Sequence, residues 1–328
     1  MQTLTDIKSL LAARGLHPKH ALGQNYLHDH NQLRKLVAAA DVQPGSVVLE
    51  VGPGTGTLTE TLLDAGARVV ACELDRDMAS IVEERNAHRM VAAPADLRPG
   101  TLSLLRADCL AGKHALNPAL ASALQHAMAT SAQPPAAGQP AAVAPPATSA
   151  PTFLLVANLP YQAATPLMAT LLEDHPACAG QYVTIQREVA DRLTAAPNTA
   201  AYGPLSVTMG LLADVQLIGL VPPGCFWPAP AVQSAMVAVR PRRHAAGPAG
   251  APTPAPASPA HASSIPTPWP PFAQFVQRTF SQRRKQLGSI LGRAEVQQAG
   301  FDPQRRPETL SRDEWVRLYA AMAPYLRA

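Results

Sequence analysis

Short apolar runs alternate with stretches of helical spacing along the first 240 residues of the chain. Seven runs rich in β-branched and aliphatic residues are typical of strands, and they cover residues 46–51, 68–72, 102–106, 153–157, 181–186, 215–221 and 235–239. The helical stretches between them include residues 58–64, 78–89, 166–172 and 205–212. This alternation predicts an α/β fold with a mainly parallel sheet covered by helices. Since helix-free, proline-rich sequence joins the last two runs, we expect those strands to pair antiparallel.

Two alanine- and proline-rich segments interrupt this pattern, and the chain holds 34 prolines in all. The segments carry almost no large aliphatic residues, so they bury too little surface to offset the entropy of ordering. The sequence therefore predicts a domain over residues 1–240 with a disordered insertion at about 115–151, in which residues 119–129 are compatible with a short helix. A disordered linker is predicted over residues 241–271, followed by a helical domain over residues 272–328, which has no strand pattern.

The composition is that of a globular protein, with 47% hydrophobic and 15% charged residues. No apolar run reaches the roughly 20 residues of a membrane span, and the N-terminus lacks the apolar core of a signal peptide. The cysteines form no CxxC pair, which argues against a zinc site or disulfides and favours a reducing compartment. They are Cys72, Cys109, Cys178 and Cys225. His28, Asp29 and His30 have no further ligand cluster, so no metal is predicted.

Charge is distributed unevenly. Residues 1–239 carry 14 Lys and Arg against 18 Asp and Glu, whereas residues 240–328 carry 13 against 5. A basic C-terminal region suggests a polyanionic partner. A solvated helical surface would show the same excess, so charge alone leaves both interpretations open.

A glycine turn in the segment VVLEVGPGTGTLTETLL places Gly52, Gly54 and Gly56 between a strand and a helix. Glycines there let the backbone approach a ligand closely. The spacing is G-x-G-x-G rather than the G-x-G-x-x-G that holds a dinucleotide pyrophosphate. The turn therefore favours a cofactor without phosphates, such as S-adenosylmethionine.

Acidic residues end the next two strands. Glu73 lies 21 residues after Gly52, where a carboxylate can accept hydrogen bonds from ribose hydroxyls. Asp75 competes for that role and could instead cap the following helix. Asp108, in RADCL, could accept from the adenine amine of the same cofactor.

The segment FLLVANLPYQ ends a strand with an amide, a proline and an aromatic ring. Pro160 fixes its own φ and restricts Leu159 to extended conformations, so the corner is rigid. The Asn158 side-chain oxygen and the Leu159 carbonyl could then accept from one NH₂ group, and Tyr161 could stack on an extruded base. The alternative is a plain strand-ending turn, with Asn158 as a cap and Tyr161 in the core.

In their order along the chain, several segments resemble the rRNA adenine N6,N6-dimethyltransferase family, specifically its bacterial small-subunit type. They are HALGQNYLHD, LEVGPGTGTLT, CELDRDM, ADCL, NLPY, QREVADRL, YGPLSV, VPPGCFWPAPAVQSA and FSQRRKQL. The resemblance implies a Rossmann-like S-adenosylmethionine-dependent methyltransferase sheet with a small C-terminal helical domain. It implies methylation of the exocyclic amines of two adjacent adenosines near the 3′ end of 16S rRNA. The partner would be an immature 30S subunit in the cytoplasm, and the enzyme a monomer.

The resemblance also assigns site residues. The cofactor would contact Asn25, Leu27, Gly52, Gly54, Glu73, Asp108 and Asn158. The target adenine would be held by Asn158, Leu159, Pro160 and Tyr161, with Phe226 on its other face. Two departures, Ala231 where the family has Lys and Pro204 where it has a basic residue, remove positive charge near the expected RNA face.

The C-terminal segment FAQFVQRTFSQRRKQLGSIL has an apolar stripe at helical spacing, and its basic residues fall between or beyond that stripe. The basic residues expected to meet phosphates are Arg278, Arg283, Arg284 and Lys285. Two other functions stay open, a large-subunit rRNA adenine dimethyltransferase and a non-catalytic small-subunit assembly factor. A DNA adenine methyltransferase shares the acceptor chemistry, but we would expect it to carry a proline where this chain has Leu159 and to have a distinct target-recognition domain.

Overall fold

A computed structural model describes residues 1–112, 115–131, 151–242, 266 and 269–325. No helix in this described part is long and apolar enough to cross a bilayer.

The chain divides into two compact units. The first unit is Met1–Ala190 with Gln216–Pro241, and the second is Asp191–Val215 with Arg242–Ala328. The predicted single domain over residues 1–240 is therefore wrong in one respect, because Asp191–Val215 belongs to the second unit. Tyr202, Val207 and Leu211 explain the difference, since they are buried in the second unit's own hydrophobic cluster.

The strands are those the apolar runs predicted, with two short additions. They are β1 (Tyr26–Leu27), β2 (Val47–Val51), β3 (Arg68–Glu73), β4 (Thr101–Arg106), β5 (Phe153–Asn158), β6 (Cys178–Gln186), β7 (Ala213–Val221), β8 (Phe226–Trp227) and β9 (Ser234–Pro241). Seven form one sheet in the order β4-β3-β2-β5-β6-β9-β7, while β1 and β8 pair separately. The predicted fold class is confirmed, because β4, β3, β2, β5 and β6 run parallel and β9 is antiparallel to β6.

The order of the sheet reverses between β2 and β5. From β2 the chain continues outward through β3 and β4, and then returns to place β5 on the other side of β2. Val47 pairs with Phe153 and Leu49 with Leu155 in this central contact. Such a switch point opens a crevice at the carboxyl ends of the strands. The glycine turn after β2 and Asn158 at the end of β5 both lie at that crevice.

The helices follow the predicted alternation. They are α1 (Leu4–Ala12), α2 (His30–Ala39), α3 (Thr57–Asp64), α4 (Arg76–Arg85), α5 (Pro118–Ser131), α6 (Tyr161–Asp174), α7 (Arg187–Thr194), α8 (Pro204–Leu212), α9 (Trp269–Phe280), α10 (Leu287–Leu291), α11 (Arg293–Gln298) and α12 (Arg312–Met322). Asp29 caps α2 by accepting from the Asn31 and Gln32 N–H groups. Helix α6 begins at Tyr161, earlier than predicted, and contains Pro166.

The core of the first unit is built where helices cover the sheet. Val48 on β2 and Val69 on β3 are fully buried, and Leu36 of α2 and Leu62 of α3 pack in the same cluster. All five residues of β2 are buried, which explains its unbroken apolar run. This packing fixes the strand ends that carry the candidate chemistry.

The disorder predicted for residues 115–131 is wrong. Helix α5 occupies residues 118–131 of this stretch and extends the short helix considered at residues 119–129. Leu116, Leu120, Leu124 and Met128 recur every fourth residue and are all buried. Alanine is the best helix former, so the alanine-rich composition supports a helix once this apolar stripe is present. Residues 132–150 of the predicted insertion lie outside the described residues.

The second unit has its own hydrophobic cluster. Phe272, Phe275, Trp315 and Leu318 are buried there, and the rings of Phe275 and Trp315 meet edge to face with centroids 6.1 Å apart. Helix α9 begins at Trp269, inside the predicted linker over residues 241–271, because Trp269 packs against this cluster. Residues 243–265 and 267–268 of that linker lie outside the described residues.

Candidate active site

A cavity of about 530 Å³ opens at the carboxyl ends of β2, β3, β4 and β5. Every residue expected to contact the cofactor or the target adenine lines it: Asn25, Leu27, Gly52, Gly54, Glu73, Asp108, Asn158, Leu159, Pro160, Tyr161 and Phe226. These residues come from six separated segments of the chain, and the fold brings them together around one space.

The glycine turn approaches two other segments closely. Gly52 and Gly54 have φ angles of +69° and +59°, which side chains with a Cβ rarely adopt. A Cβ on Gly54 would lie 2.9 Å from the Tyr26 ring, and one on Gly52 would lie 3.2 Å from the Pro160 ring. Both glycines are therefore required by conformation and by space, and the turn forms one wall of the cavity.

Glu73 is held against this turn. Glu73 is 7% exposed, and its carboxylate accepts from the Gly54 N–H at 3.1 Å and from the Asp75 N–H at 2.9 Å. Burial raises the pKa of Glu73, while these two hydrogen bonds favour its ionised form. The carboxylate is thus fixed in position at the cavity, with accepting capacity to spare.

Asp75 is the N-terminal cap of α4, which was the alternative to a ribose contact. Its Oδ1 accepts from the Asp77 N–H at 3.0 Å and from Lys19 Nζ at 2.9 Å, and its Oδ2 accepts from Gln24 Nε2 at 2.7 Å. Burial opposes ionisation, but the bonds from Lys19 and Gln24 outweigh it and lower the pKa of Asp75. Asp75 does not line the cavity, whereas Glu73 does.

Asp108 lies at the exposed rim of the cavity. Its Oδ1 accepts from the Leu110 N–H at 2.9 Å, and its carbonyl accepts from Asn117 Nδ2 at 2.9 Å. Asn117 also accepts from the Ala119 N–H at the start of α5. Helix α5, which sequence analysis assigned mostly to a disordered insertion, is thereby tied to this rim.

Glu50 and Thr57 line the deeper part of the cavity and were not identified from the sequence. Glu50 is 1% exposed and Thr57 4% exposed, and Glu50 Oε2 and Thr57 Oγ1 have no hydrogen-bond partner among the described residues. Burial raises the pKa of Glu50 to about 8. A carboxyl inside the apolar run VVLEV was the signal that could have marked it, because burying a carboxyl among apolar residues is costly.

The amide of Asn158 has a fixed orientation. Its Nδ2 donates to the Asn25 carbonyl at 3.0 Å. The Leu159 N–H donates to the Thr184 carbonyl at 3.2 Å, which anchors the corner to β6. With the nitrogen engaged, the Asn158 side-chain oxygen is the group that remains to accept from a molecule in the cavity.

The ring of Tyr161 is fixed by a residue that sequence analysis missed. Its hydroxyl lies 2.8 Å from Ser234 Oγ, and Ser234 is fully buried at the start of β9. Burial raises the pKa of Tyr161, so the phenol is neutral at physiological pH. Nothing in the local sequence links residues 161 and 234, because only the antiparallel pairing of β9 with β6 brings them together.

A two-stranded ribbon closes the cavity. Leu27 pairs with Phe226 and Tyr26 with Trp227, and the rings of Tyr26 and Trp227 stack with centroids 6.3 Å apart. This pairing brings GQNYL and the Phe-x-Pro segment to one wall. It explains why Leu27 and Phe226, which lie far apart in the sequence, both line the site.

The basic residues predicted to meet RNA lie in the second unit, but they differ in their contacts. Arg278, Arg284 and Lys285 are exposed. Arg283 is paired with Glu308 at 2.7 Å and donates to the Ala200 carbonyl at 3.2 Å. Residues 281–285 form a turn after α9 instead of continuing the predicted helix.

The two departures from the family pattern lie in separate settings. Pro204 is the first residue of α8, where its fixed φ suits a helix start. Ala231 is exposed.

Comparisons with known sequences agree on one family. A model of the ribosomal RNA adenine dimethylase family matches residues 15–110 and 116–251. The chain is 34% identical over 331 residues to ribosomal RNA small subunit methyltransferase A of Nocardia farcinica, covering 96% of this chain and 93% of that one. It is 35% identical over 323 residues to the protein of that name from Mesorhizobium japonicum, covering 96% and 97%.

Solved structures share the fold. A dimethyladenosine transferase from Plasmodium falciparum superposes with a TM-score of 0.64 at 19% identity, covering 91% of this chain and 97% of that one. The 23S rRNA methyltransferase ErmE gives a TM-score of 0.52 at 20% identity, covering 91% and 100%.

Proposed function

Because the chain belongs to the ribosomal RNA adenine dimethylase family, we propose that it dimethylates the exocyclic amines of two adjacent adenosines near the 3′ end of 16S rRNA, using S-adenosylmethionine. One observation carries the proposal. A single cavity has the glycine turn and the fixed Glu73 carboxylate on one side, and the oriented amide of Asn158 on the other.

The cofactor side fits S-adenosylmethionine in its chemistry. The Glu73 carboxylate has acceptor positions left for ribose hydroxyls, and Asp108 stands at the rim for the adenine amine. Glu50 Oε2 and Thr57 Oγ1 are buried acceptors without a protein partner, which suits the ammonium of the methionine part. When bound, this cofactor supplies an electrophilic methyl group on a sulfonium sulfur.

The other side of the cavity, formed by residues 158–161, is the acceptor side, because it would hold the adenine that accepts the methyl group. This side makes the adenine amine more nucleophilic. The lone pair of such an amine is delocalised into the ring. The Asn158 side-chain oxygen and the Leu159 carbonyl accept its two hydrogens, which favours the pyramidal form and stabilises positive charge that develops on nitrogen. The resulting ammonium is acidic and loses its proton to water, so no protein base is required.

Tyr161 and Phe226 hold the extruded base between them. Tyr161 is fixed by Ser234 and Phe226 by its pairing with Leu27, so both rings are positioned before RNA binds. Stacking on such rings is sequence-tolerant and contributes about 1–3 kcal/mol per base. The positioning of the two reactants supplies much of the rate.

We assign phosphate contacts to Arg278, Arg284 and Lys285 in the second unit, and an internal role to Arg283. Replacing Arg284 and Lys285 by Gln should weaken RNA binding and reduce the slope of log affinity against log salt by about 2. The matched variant Arg283→Gln should lower the melting temperature through loss of the Glu308 pair and leave the slope unchanged. Filter binding at several salt concentrations measures both. Equal slopes in the three proteins would contradict the assignment.

The substrate is an immature 30S subunit in the cytoplasm, on which the protein acts as a monomer. The alternatives to this function are that of a large-subunit dimethyltransferase and that of an assembly factor without catalysis. The named relatives favour the small subunit. The fixed Asn158 amide favours catalysis over binding alone.

The test uses ribosomal subunits from cells that lack the modification. The protein is incubated with 30S or 50S particles and methyl-labelled S-adenosylmethionine, and the RNA is analysed by mass spectrometry. We expect up to four methyl groups on two neighbouring adenines of 16S rRNA. Label on 50S RNA would support the large-subunit alternative, and unmodified RNA in both would refute catalysis.

A further inference from the structure

Gln24 lines the cavity and makes three hydrogen bonds with both ends of its side-chain amide. Its Nε2 donates to Asp75 Oδ2 at 2.7 Å. Its Oε1 accepts from the Lys19 N–H at 2.8 Å and from the Tyr26 hydroxyl at 2.8 Å. A side chain engaged in this way has one orientation, and the backbone that follows it is fixed as well.

The partners of Gln24 are themselves anchored. Asp75 is buried, caps α4 and pairs with Lys19 Nζ. Tyr26 is buried, its ring contacts the glycine turn, and its hydroxyl also lies 3.2 Å from Met78 Sδ. Gln24 therefore links the N-terminal segment to the element that follows Glu73.

The next residue, Asn25, makes the contact that matters for chemistry. Its carbonyl accepts from Asn158 Nδ2 at 3.0 Å. A primary amide can flip by 180° and exchange its oxygen and nitrogen. A carbonyl accepts only from a donor, so the Asn25 carbonyl selects the flip state in which the nitrogen is engaged and the oxygen is free for the target amine.

We propose that Gln24 is a positioning residue for methyl transfer, because it holds the Asn25 carbonyl where it selects the productive orientation of Asn158. Through Asp75 the same residue connects the cofactor side of the cavity with the acceptor side. Gln24 itself need not touch the reacting atoms. The proposal deepens the proposed function and rests on it for its kinetic readout.

The variant Gln24→Glu tests the link with little change in shape. It places a carboxylate against Asp75, so the bond becomes a repulsion while the acceptor contacts to Lys19 and Tyr26 are kept. We expect the single-turnover rate of methyl transfer to fall about 10- to 100-fold, with the Kd for S-adenosylmethionine within about threefold of wild type.

A second substitution should restore the link with reversed polarity. In Asp75→Asn, Oδ1 still accepts from the Asp77 N–H, which turns Nδ2 towards residue 24. In the single variant Asp75→Asn, the new Nδ2 donor faces the Nε2 donor of Gln24, so methyl transfer should be slow. The double variant Gln24→Glu, Asp75→Asn restores the donor–acceptor pair. We expect its rate within about threefold of wild type. A double variant no faster than Gln24→Glu would overturn the proposal, as would a cofactor Kd that rises in parallel with the loss of rate.

The control is Gln43→Glu, because Gln43 donates to Asp41 Oδ1 at 2.7 Å in a surface turn and does not line the cavity. Its rate should equal that of wild type.

A readout independent of the RNA substrate is the Asn158 side-chain amide signal in protein labelled with ¹⁵N-asparagine. Gln24→Glu should shift this signal and speed its hydrogen exchange, the double variant should restore it, and Gln43→Glu should leave it unchanged. An unaltered signal in Gln24→Glu would overturn the proposal. If wild type methylates no subunit while these signals behave as expected, the proposed function fails and the positioning link stands.

Discussion

The two sides of the cavity are built over very different distances along the chain. On the cofactor side, the Gly54 N–H and the Glu73 carboxylate are 19 residues apart and joined by one strand–helix–strand unit. On the acceptor side, Asn158 depends on Asn25, 133 residues away, and Tyr161 on Ser234, 73 residues away. The cofactor side is thus a local structure, whereas the acceptor side exists only when distant segments have folded together.

The largest effect should come from the acceptor side. Asn158→Ala removes the side-chain oxygen that accepts from the target amine, so methyl transfer should fall about 10²- to 10³-fold. The Kd for S-adenosylmethionine should rise by much less than the rate falls, because Asn158 is one of several expected cofactor contacts and the glycine turn and Glu73 are untouched. Single-turnover assays and calorimetry separate the two quantities. A loss of cofactor binding that accounts for the whole rate change would remove the distinction between the two sides.

A smaller effect is expected on the cofactor side. Gly54→Ala puts a Cβ at positive φ and 2.9 Å from the Tyr26 ring, which costs about 1–2 kcal/mol in backbone conformation alone. Cofactor affinity should fall about 5- to 30-fold, as measured by calorimetry. Gly224→Ala is the control, because a Cβ there meets nothing within 4 Å. Equal effects of the two substitutions would show that the close approach of the turn is unimportant.

The buried Glu50 should make stability depend on pH. Folding raises the pKa of Glu50 from 4.5 to about 8, so between these pH values the folded state keeps a proton that the unfolded state has lost. The free energy of unfolding should therefore fall by about 1.4 kcal/mol per pH unit in that window, relative to Glu50→Gln. Below pH 4 the carboxyl is protonated in both states, so the pKa shift should not affect the difference in stability between wild type and Glu50→Gln.

Denaturant titrations of the cofactor-free proteins at pH 5, 6 and 7 measure the difference between wild type and variant. A difference that stays constant across the three pH values would mean that Glu50 is ionised in the folded protein.

The smallest effect concerns the ring of Tyr161. Ser234→Ala and Tyr161→Phe each remove the same hydrogen bond, which contributes about 0.5–1.5 kcal/mol. Each should slow methyl transfer about two- to tenfold, and the double variant should be no slower than the slower single one. Additive losses in this cycle would show that the two residues act separately.

The same contrast in distance along the chain explains which features could be predicted from the sequence and which could not. The large-sheet strands are local apolar runs, so their positions could be read within a few residues, and the glycine turn and Glu73 followed directly from them. The ribbon of Tyr26–Leu27 and Phe226–Trp227 has two residues per strand, too few for a periodic pattern. The role of Asn25 uses its backbone carbonyl, which no side-chain pattern encodes.

The prediction for the segment of helix α5 was wrong for a different reason. Its alanine- and proline-rich surroundings resemble a linker, and only the buried stripe of Leu116, Leu120, Leu124 and Met128 shows that the segment packs on the domain. Composition was a weaker guide there than spacing at intervals of four residues.

The account depends on one cavity serving both reactants, and a crystal structure with S-adenosylhomocysteine tests this most directly. We predict that the ribose hydroxyls lie within hydrogen-bond distance of the Glu73 carboxylate and that the sulfur faces Asn158, with the Asn158 nitrogen still on the Asn25 carbonyl. A ligand bound elsewhere, or one whose sulfur points away from residues 158–161, would contradict the account.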